Sequence, residues 1–262
     1  MGAKTSNNKS STTPVTHLVI PDTQIKPHVN LSHMKWAGEF AAQHKPTRII
    51  HIGDGADMCS LSSFDIGTKS FEGRSYKRDI EAFKDGMSMF MSPLYREIKK
   101  GKWKPTLDYT LGNHENRINR AIEYDRKLEG LISTDDLGLK EMGWRVHDFL
   151  KVITLDGVAY SHFFTSGVMG RPVASARSML QRKHTSCVMG HVQKLDVAYD
   201  YTANGKRLCG LFASCYYLHK EPYRDPQSTA SEWHGLHVLA NVKQGEFDLV
   251  SIPLASLKKT YE

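Results

Sequence analysis

The chain has 262 residues, which suits one large domain or two small ones, and its composition is that of a globular protein. It contains no run of about 18 apolar residues, and its N-terminus lacks the apolar core of a secretory signal, so we expect neither a membrane-spanning helix nor secretion. The net charge of +7 favours a polyanionic partner such as nucleic acid, but a solvated, lysine-rich surface explains it equally well.

The first part of the chain alternates between strand and helix patterns. Residues 1–14 are polar and predict a disordered tail. The apolar run 16–20, which ends at Pro21, predicts a buried strand, and apolar residues at helical spacing predict a helix over 31–44. A second strand follows at 48–52. This strand-helix-strand order predicts a parallel pair with a crossover helix.

The next stretch repeats that order with a longer connection. Residues 55–75 predict a long loop, and apolar residues spaced by three and four predict a helix over 76–100, with Met and Phe side chains in the core. A third strand is predicted at 106–111. It leads into the corner Gly112-Asn113-His114 and a helical run from Arg117.

The second half is rich in hairpins. One hairpin is predicted around the turn Asp156-Gly157, with apolar positions at Val146, Phe149, Val152, Val158 and Tyr160. We predict a helix over 172–184 with Pro172 in its first turn, and a strand over 185–189. Later strands are predicted at 195–202, 208–215, 235–242 and 246–253. Together the patterns predict an α/β (α+β) protein with a single domain over 15–262, in which two sheets pack face to face with helices outside.

Polar side chains follow five of the predicted strands. They are Asp22, Gln24, Asp54, Asn113, His114, His162, His191 and Gln193. Because loops at the carboxyl ends of parallel strands converge, we expect these groups to form one site. Their oxygen and imidazole donors suit two divalent ions roughly 3.5–4 Å apart, which can clamp a phosphate ester and activate a water. Asp54 is the best candidate to bridge the ions, and a separate imidazole can protonate the leaving group.

The ordered motifs D-x-Q, G-D, G-N-H-E, S-H and G-H-x-Q resemble those of the calcineurin-like metallophosphoesterases. The surrounding sequence, including Ser60-Leu61-Ser62-Ser63 and Phe71-Glu72-Gly73-Arg74, resembles phage and prophage members of this family. The resemblance implies a four-layer αββα sandwich of two mixed β-sheets flanked by helices. It also implies a dinuclear centre, with Asp22, Gln24, Asp54 and Gln193 at one metal and Asp54, Asn113, His162 and His191 at the other. His114 would be the catalytic acid rather than a ligand, and a phage protein would act in the bacterial host cytoplasm.

Two positions depart from the family pattern. Gln24 and Gln193 replace the two histidines of one metal site. Because an amide oxygen binds borderline metals more weakly than imidazole does, we expect Mn²⁺ or Mg²⁺ rather than Zn²⁺ or iron. The alternative is a non-catalytic interaction module that keeps the fold with a weakened first site.

Basic residues near the motifs bear on the substrate. Arg117 and Arg74 are the candidates for contact with substrate phosphate, since guanidinium groups match phosphate oxygens. Phe71 and Tyr76 lie nearby and favour a groove for DNA or RNA strands. The alternative for Arg117, with Arg120, is a surface helix with ordinary ion pairs. The four cysteines have no C-x-x-C pair, which favours reduced thiols over a disulfide framework or a zinc site.

Overall fold

The computed structural model describes residues 14–63, 66–67, 71–220 and 232–262. The predicted disordered tail, 1–14, lies outside these ranges except for its last residue. Within them the chain forms thirteen strands, which we number in chain order. They are β1 (His17–Ile20), β2 (Arg48–His51), β3 (Thr106–Thr110), β4 (Arg145–His147), β5 (Ile153–Leu155), β6 (Val158–Tyr160), β7 (Thr165–Ser166), β8 (Arg171–Pro172), β9 (Cys187–Met189), β10 (Leu195–Tyr201), β11 (Arg207–Ala213), β12 (Gly235–Lys243) and β13 (Glu246–Pro253).

The helices follow the apolar spacing of the sequence. Among the described residues they are α1 (Ser32–His44), α2 (Tyr76–Ile98), α3 (Arg117–Tyr124), α4 (Ala176–Lys183) and α5 (Leu254–Tyr261). The apolar positions of α2 are buried as predicted, including Phe83, Met87 and Phe90. None of these helices is long and apolar enough to cross a membrane.

The strands form two mixed sheets and a small ribbon. The first sheet has the order β13-β12-β1-β2-β3-β4, with β1 to β4 parallel to one another and the β12–β13 hairpin antiparallel. The second has the order β10-β11-β9-β6-β5, in which β6, β9 and β11 are parallel. The ribbon pairs β7 with β8. The carboxyl ends of β1, β2 and β3 therefore meet at one edge of the first sheet.

Three hydrophobic clusters define the layers. The largest lies between the first sheet and helices α1, α2 and α5, where Phe40, Phe90 and Leu257 are buried. The second fills the space between the two sheets, and the third lies between the second sheet and α4. The described residues thus form the expected four-layer αββα sandwich.

Two predicted elements were wrong in detail. Val146 does not belong to the hairpin around Asp156-Gly157: it pairs in parallel with Tyr109 in the first sheet. Leu150 takes a left-handed backbone, φ 64, which ends any continuous strand before the hairpin begins at β5. The helix predicted at 172–184 begins only at Ala176, because Ser175 caps it through reciprocal hydrogen bonds with Ser178. Pro172 lies instead in the β7–β8 ribbon.

Candidate metal centre

The polar residues predicted from the strand ends come from both sheets. Asp22, Asp54 and Asn113 follow β1, β2 and β3, while His162 and His191 follow the parallel strands β6 and β9 of the second sheet. The hydrogen bond from the backbone N–H of Gly190 to the His162 carbonyl, 2.9 Å, ties the last two loops together.

His162 directs a lone pair at other acceptors. Its Nδ1 lies 2.9 Å from the Ile52 carbonyl oxygen, so this nitrogen carries the proton and donates it. Its Nε2 then faces the Asn113 amide oxygen at 3.0 Å and the Asp54 carboxylate at 3.3 Å. Lone pairs that face one another in this way repel unless a proton or a cation lies between them.

His191 faces the same amide oxygen. Its Nδ1 lies 2.7 Å from Asn113 Oδ1, and ligand atoms of Asp54, His162 and His191 all lie within 4.8 Å of one another. Nitrogen and oxygen donors that converge this closely fit a divalent cation. The geometry therefore brings together four of the predicted ligands.

Asp22 is held beside this group by the backbone. The N–H of His191 lies 3.1 Å from each of its carboxylate oxygens. Gly190 permits this approach, because a Cβ at that position would lie 2.3 Å from the Asp22 carboxylate. Gly112 plays the same part for Asp54, since its Cβ would lie 2.1 Å from Asp54 Oδ1. The carboxylates thus approach backbone that only glycine leaves open.

The buried charges strongly favour positive charge beside Asp54. Burial opposes its ionisation, but His114 and His162 hold the pKa of Asp54 well below its usual range. Burial also opposes protonation of His162, yet the Asp54 charge raises the pKa of that histidine to about 9. Burial raises the pKa of Asp22 to about 7 despite the nearby His162, and burial lowers the pKa of His191 to about 4. A divalent cation would supply the charge that Asp54 requires.

The two glutamines of the predicted first metal differ in their surroundings. Gln24 donates its backbone N–H to the Asp54 carbonyl at 3.0 Å, and its side-chain Oε1 is buried with no partner among the described residues. A buried oxygen of this kind fits a metal ligand. The Gln193 Oε1 instead accepts a hydrogen bond from the Tyr217 hydroxyl at 2.9 Å. A ligand role for Gln193 would have to share or break that bond.

His114, the predicted acid, lies against Asp54 and Asp57. Its backbone N–H donates to Asp54 Oδ1 at 2.9 Å, and its Nε2 lies 3.7 Å from Asp54 Oδ2. Its Nδ1 lies 2.9 Å from both the carbonyl and a carboxylate oxygen of Asp57, so Nδ1 carries a proton. Burial opposes a second proton, but Asp54 and Asp57 outweigh it and raise the pKa of His114 to about 9. Asp57 therefore orients the ring of His114.

The two predicted phosphate contacts occupy different places. Arg117 donates to the Asp57 carbonyl at 2.8 Å, and its Nη2 lies 3.5 Å from His114 Nε2, so its guanidinium borders the site. Arg74 donates to the Cys59 carbonyl at 2.8 Å and lies over the Phe71 ring. Arg74 thus supports the loop after β2, and its contact with phosphate stays a prediction.

Glu115 is the residue of the site that sequence reasoning missed. It is buried, and its carboxylate accepts five hydrogen bonds, from the backbone N–H groups of Asp54, Gly55, Ala56 and Gly112 and from the Tyr109 hydroxyl. It therefore joins the loop after β2 to the loop after β3. Its place directly after His114 in G-N-H-E was the available signal.

Three predicted ligands have an unusual backbone. Gln24, Asp54 and His191 adopt φ values of 40°, 48° and 66°, in the left-handed region that residues other than glycine rarely adopt. Such conformations cluster at functional sites.

The likenesses to known proteins are all of low sequence identity. No protein-family profile matches the chain. The gene 54 protein of Mycobacterium phage D29 is 28% identical over an alignment of 189 residues, which covers 68% of this chain and 68% of that protein. Among solved structures, wild-type Vps29 of Entamoeba histolytica in complex with zinc aligns over 92% of this chain and 99% of its own, at 10% identity and a TM-score of 0.37. A single mutant of the same Vps29 aligns over 91% and 99%, at 11% identity and a TM-score of 0.35. The functional conclusions therefore rest on the geometry of the centre.

Proposed function

We propose that the protein is a metal-dependent phosphoesterase of the calcineurin-like kind. The observation that carries the proposal is the convergence of acceptor atoms from Asp54, Asn113, His162 and His191, with His114 beside them. Those four residues would hold one ion. Asp22, Gln24 and Gln193 would share Asp54 with a second. When bound, the ions supply electrostatic stabilisation of phosphate oxygens and a water of lowered pKa. We propose Mn²⁺, with Mg²⁺ next, because amide and carboxylate oxygens are prominent among the donors.

His114 supplies the proton in this proposal. Asp57 fixes its ring through Nδ1, which leaves Nε2 on the side of Asp54 and Arg117. A proton on Nε2 can pass to the leaving oxygen of an ester that is bound between Asp54 and Arg117. Arg117 is positioned to contact the same phosphate.

A cleft beside Arg117 supports nucleic acid or a nucleotide as substrate. It has a volume of about 270 Å³ and is lined in part by Ser60, Phe71, Arg117, Arg120 and Tyr124. Two arginines suit phosphates, and aromatic rings suit stacked bases. The buried Ser60 hydroxyl, which has no partner among the described residues, offers a further polar contact. Since Arg117 reaches both His114 and the cleft, we assign the cleft to the leaving-group side.

The test is a Mn²⁺ activity screen against phosphate monoesters, phosphodiesters, cyclic nucleotides, and single- and double-stranded DNA and RNA. We expect turnover that Asp54→Asn abolishes and that Asp248→Asn, a change at an exposed position of β13, leaves intact. Arg120→Ala and Tyr124→Ala should lower kcat/KM for the nucleic-acid substrate while sparing a small chromogenic ester. Full metal occupancy without turnover on any ester would refute the proposal.

The hydrogen bond that Gln193 accepts from Tyr217 favours one alternative, a non-catalytic interaction module with a weakened first site. Metal stoichiometry separates the two: two Mn²⁺ per chain at saturation support the enzyme, and none supports the module. The phage relative supports the further proposal that the protein works in the cytoplasm of an infected bacterium.

A further inference from the structure

A second group of side chains with the chemistry of metal ligands lies beside Asp22. Cys215, Glu232 and His234, which we call the thiol cluster, offer ligand atoms within 4.8 Å of one another. Cys215 follows β11 and forms isolated β-bridges with both Asp22 and His234. The cluster is therefore joined through the backbone to the candidate metal centre, but it contains none of that centre's predicted ligands.

His234 is oriented as a metal-binding histidine would be. Its Nδ1 lies 2.9 Å from the Tyr217 carbonyl oxygen, so Nδ1 donates its proton there and Nε2 keeps a lone pair. Nε2 faces the Glu232 carboxylate at 3.2 Å, and the Cys215 sulfur lies 3.7 Å from Nε2 and 3.8 Å from Nδ1. Metal-binding histidines commonly donate their other ring N–H to a backbone carbonyl in this way.

Two of the three ligand-atom separations are close to those around a tetrahedral zinc ion. With zinc–sulfur bonds of about 2.3 Å and zinc–nitrogen or zinc–oxygen bonds of about 2.0–2.1 Å, neighbouring ligand atoms lie roughly 3.3–3.6 Å apart. The observed 3.2 and 3.7 Å are close to these edges. Cys215 is buried, while the His234 side chain is 25% exposed and leaves a route for an ion from solvent.

We propose that Cys215, Glu232 and His234 bind a divalent cation that favours thiolate and imidazole, such as Zn²⁺. Binding releases the thiol proton of Cys215 to solvent. The ligands share no close C-x-x-C spacing, so cysteine spacing alone argued against a zinc site here. The proposal does not depend on phosphoesterase activity.

Tyr217 connects the thiol cluster to the candidate metal centre. Its carbonyl holds His234, and its hydroxyl holds Gln193 at 2.9 Å. An ion in the thiol cluster would fix the Tyr217 backbone and thereby the amide of Gln193. The cluster is thus a structural support for the side of the centre where the two glutamines lie.

Co²⁺ titration of the full chain tests the proposal, because only a cysteine ligand gives a thiolate-to-cobalt charge-transfer band. We expect the band in the wild type and in Asp54→Asn, whose centre has no thiol among its predicted ligands. Cys215→Ser should lose the band, while Cys209→Ser, a buried cysteine of β11, should keep it. Tyr217→Phe removes only the hydroxyl and should also keep it.

His234→Gln provides an independent measurement should Cys215→Ser fail to fold. We expect its Zn²⁺ affinity at this site to fall roughly tenfold or more in competition with a chelator, in the Asp54→Asn background. Absence of a charge-transfer band in folded wild type at saturating Co²⁺, or its persistence in Cys215→Ser, would overturn the proposal.

Discussion

The Glu115 carboxylate accepts a hydrogen bond from the Asp54 backbone N–H at 3.0 Å, although 61 positions separate the two residues. The same carboxylate also accepts hydrogen bonds from backbone N–H groups of the loop after β2 and of the loop after β3. A single buried charge therefore sets the distance between the loops that carry Asp54 and Asn113.

Glu115→Gln should destabilise the fold. The new amide group would turn a donor toward backbone N–H donors and leave at least one of them unsatisfied in the interior. We expect the free energy of unfolding to fall by about 2–4 kcal/mol, measured by urea denaturation. Glu97→Gln is the matched control, since its ion pairs with Lys45 and Lys100 lie at the surface and should contribute far less to stability. Equal losses in both variants would contradict the buried role of Glu115.

His114→Gln should separate proton transfer from metal binding. We expect kcat to fall by about 10²–10⁴-fold, while the number of Mn²⁺ ions per chain stays unchanged. Asp57→Asn should lower kcat by a smaller factor, because the ring of His114 would remain but lose its orienting carboxylate. Loss of metal from His114→Gln would show that this histidine is a ligand.

Gly112→Ala should disrupt the centre through steric overlap. Its Cβ would meet Asp54 Oδ1, on a buried side chain, at 2.1 Å and the Asp54 backbone nitrogen at 2.3 Å. We expect Mn²⁺ affinity to drop below detection in calorimetric titration. Gly130→Ala is the control: it places a side chain at φ 79° in open space, so it strains the backbone without touching the site. Normal Mn²⁺ binding by Gly112→Ala would be inconsistent with the packing described.

Stability should decline as the pH falls below about 6.5. Burial lowers the pKa of His237 to about 4 and that of His33 to about 3, so both stay neutral in the fold while the unfolded chain takes up protons. Each histidine then removes up to about 1.4 kcal/mol of unfolding free energy per pH unit between the unfolded and folded pKa values. His237→Gln should make this slope shallower, and His28→Gln, an exposed position, should not. An unchanged slope in His237→Gln between pH 6.5 and 4.5 would contradict the assignment.

The parts of the fold that could be predicted are those with a local pattern of apolar and polar residues in the sequence. The strands β1 and β2 carry short apolar runs, β3 alternates polar and apolar residues, and the long helix α2 has a clear spacing of three and four. Their positions, and the four layers, agree with the expectation. Strand β4 has only three residues, and its partner Tyr109 is remote in sequence, so no local signal assigns Val146 to the first sheet.

Some interactions of the candidate site could likewise be predicted from local sequence, and others could not. Asn113, His162 and His191 follow apolar strands, so their convergence could be anticipated from parallel topology. The interactions of Glu115, Asp57 and Tyr217 could not, because each depends on a contact with a residue at least 24 positions away or on five simultaneous hydrogen bonds. Short-range spacing also misses the thiol cluster, whose cysteine and histidine are brought together by pairing between separate chain segments.

The left-handed backbone at Gln24, Asp54 and His191 links the melting behaviour of the whole protein to its centre. Conformations of this kind cost on the order of 1 kcal/mol or more each, a sizeable part of a typical net stability. An ion that engages these side chains offsets that cost only in the native state, by mass action. Thermal unfolding followed across a panel of cations would therefore rank them by occupancy before any substrate is known.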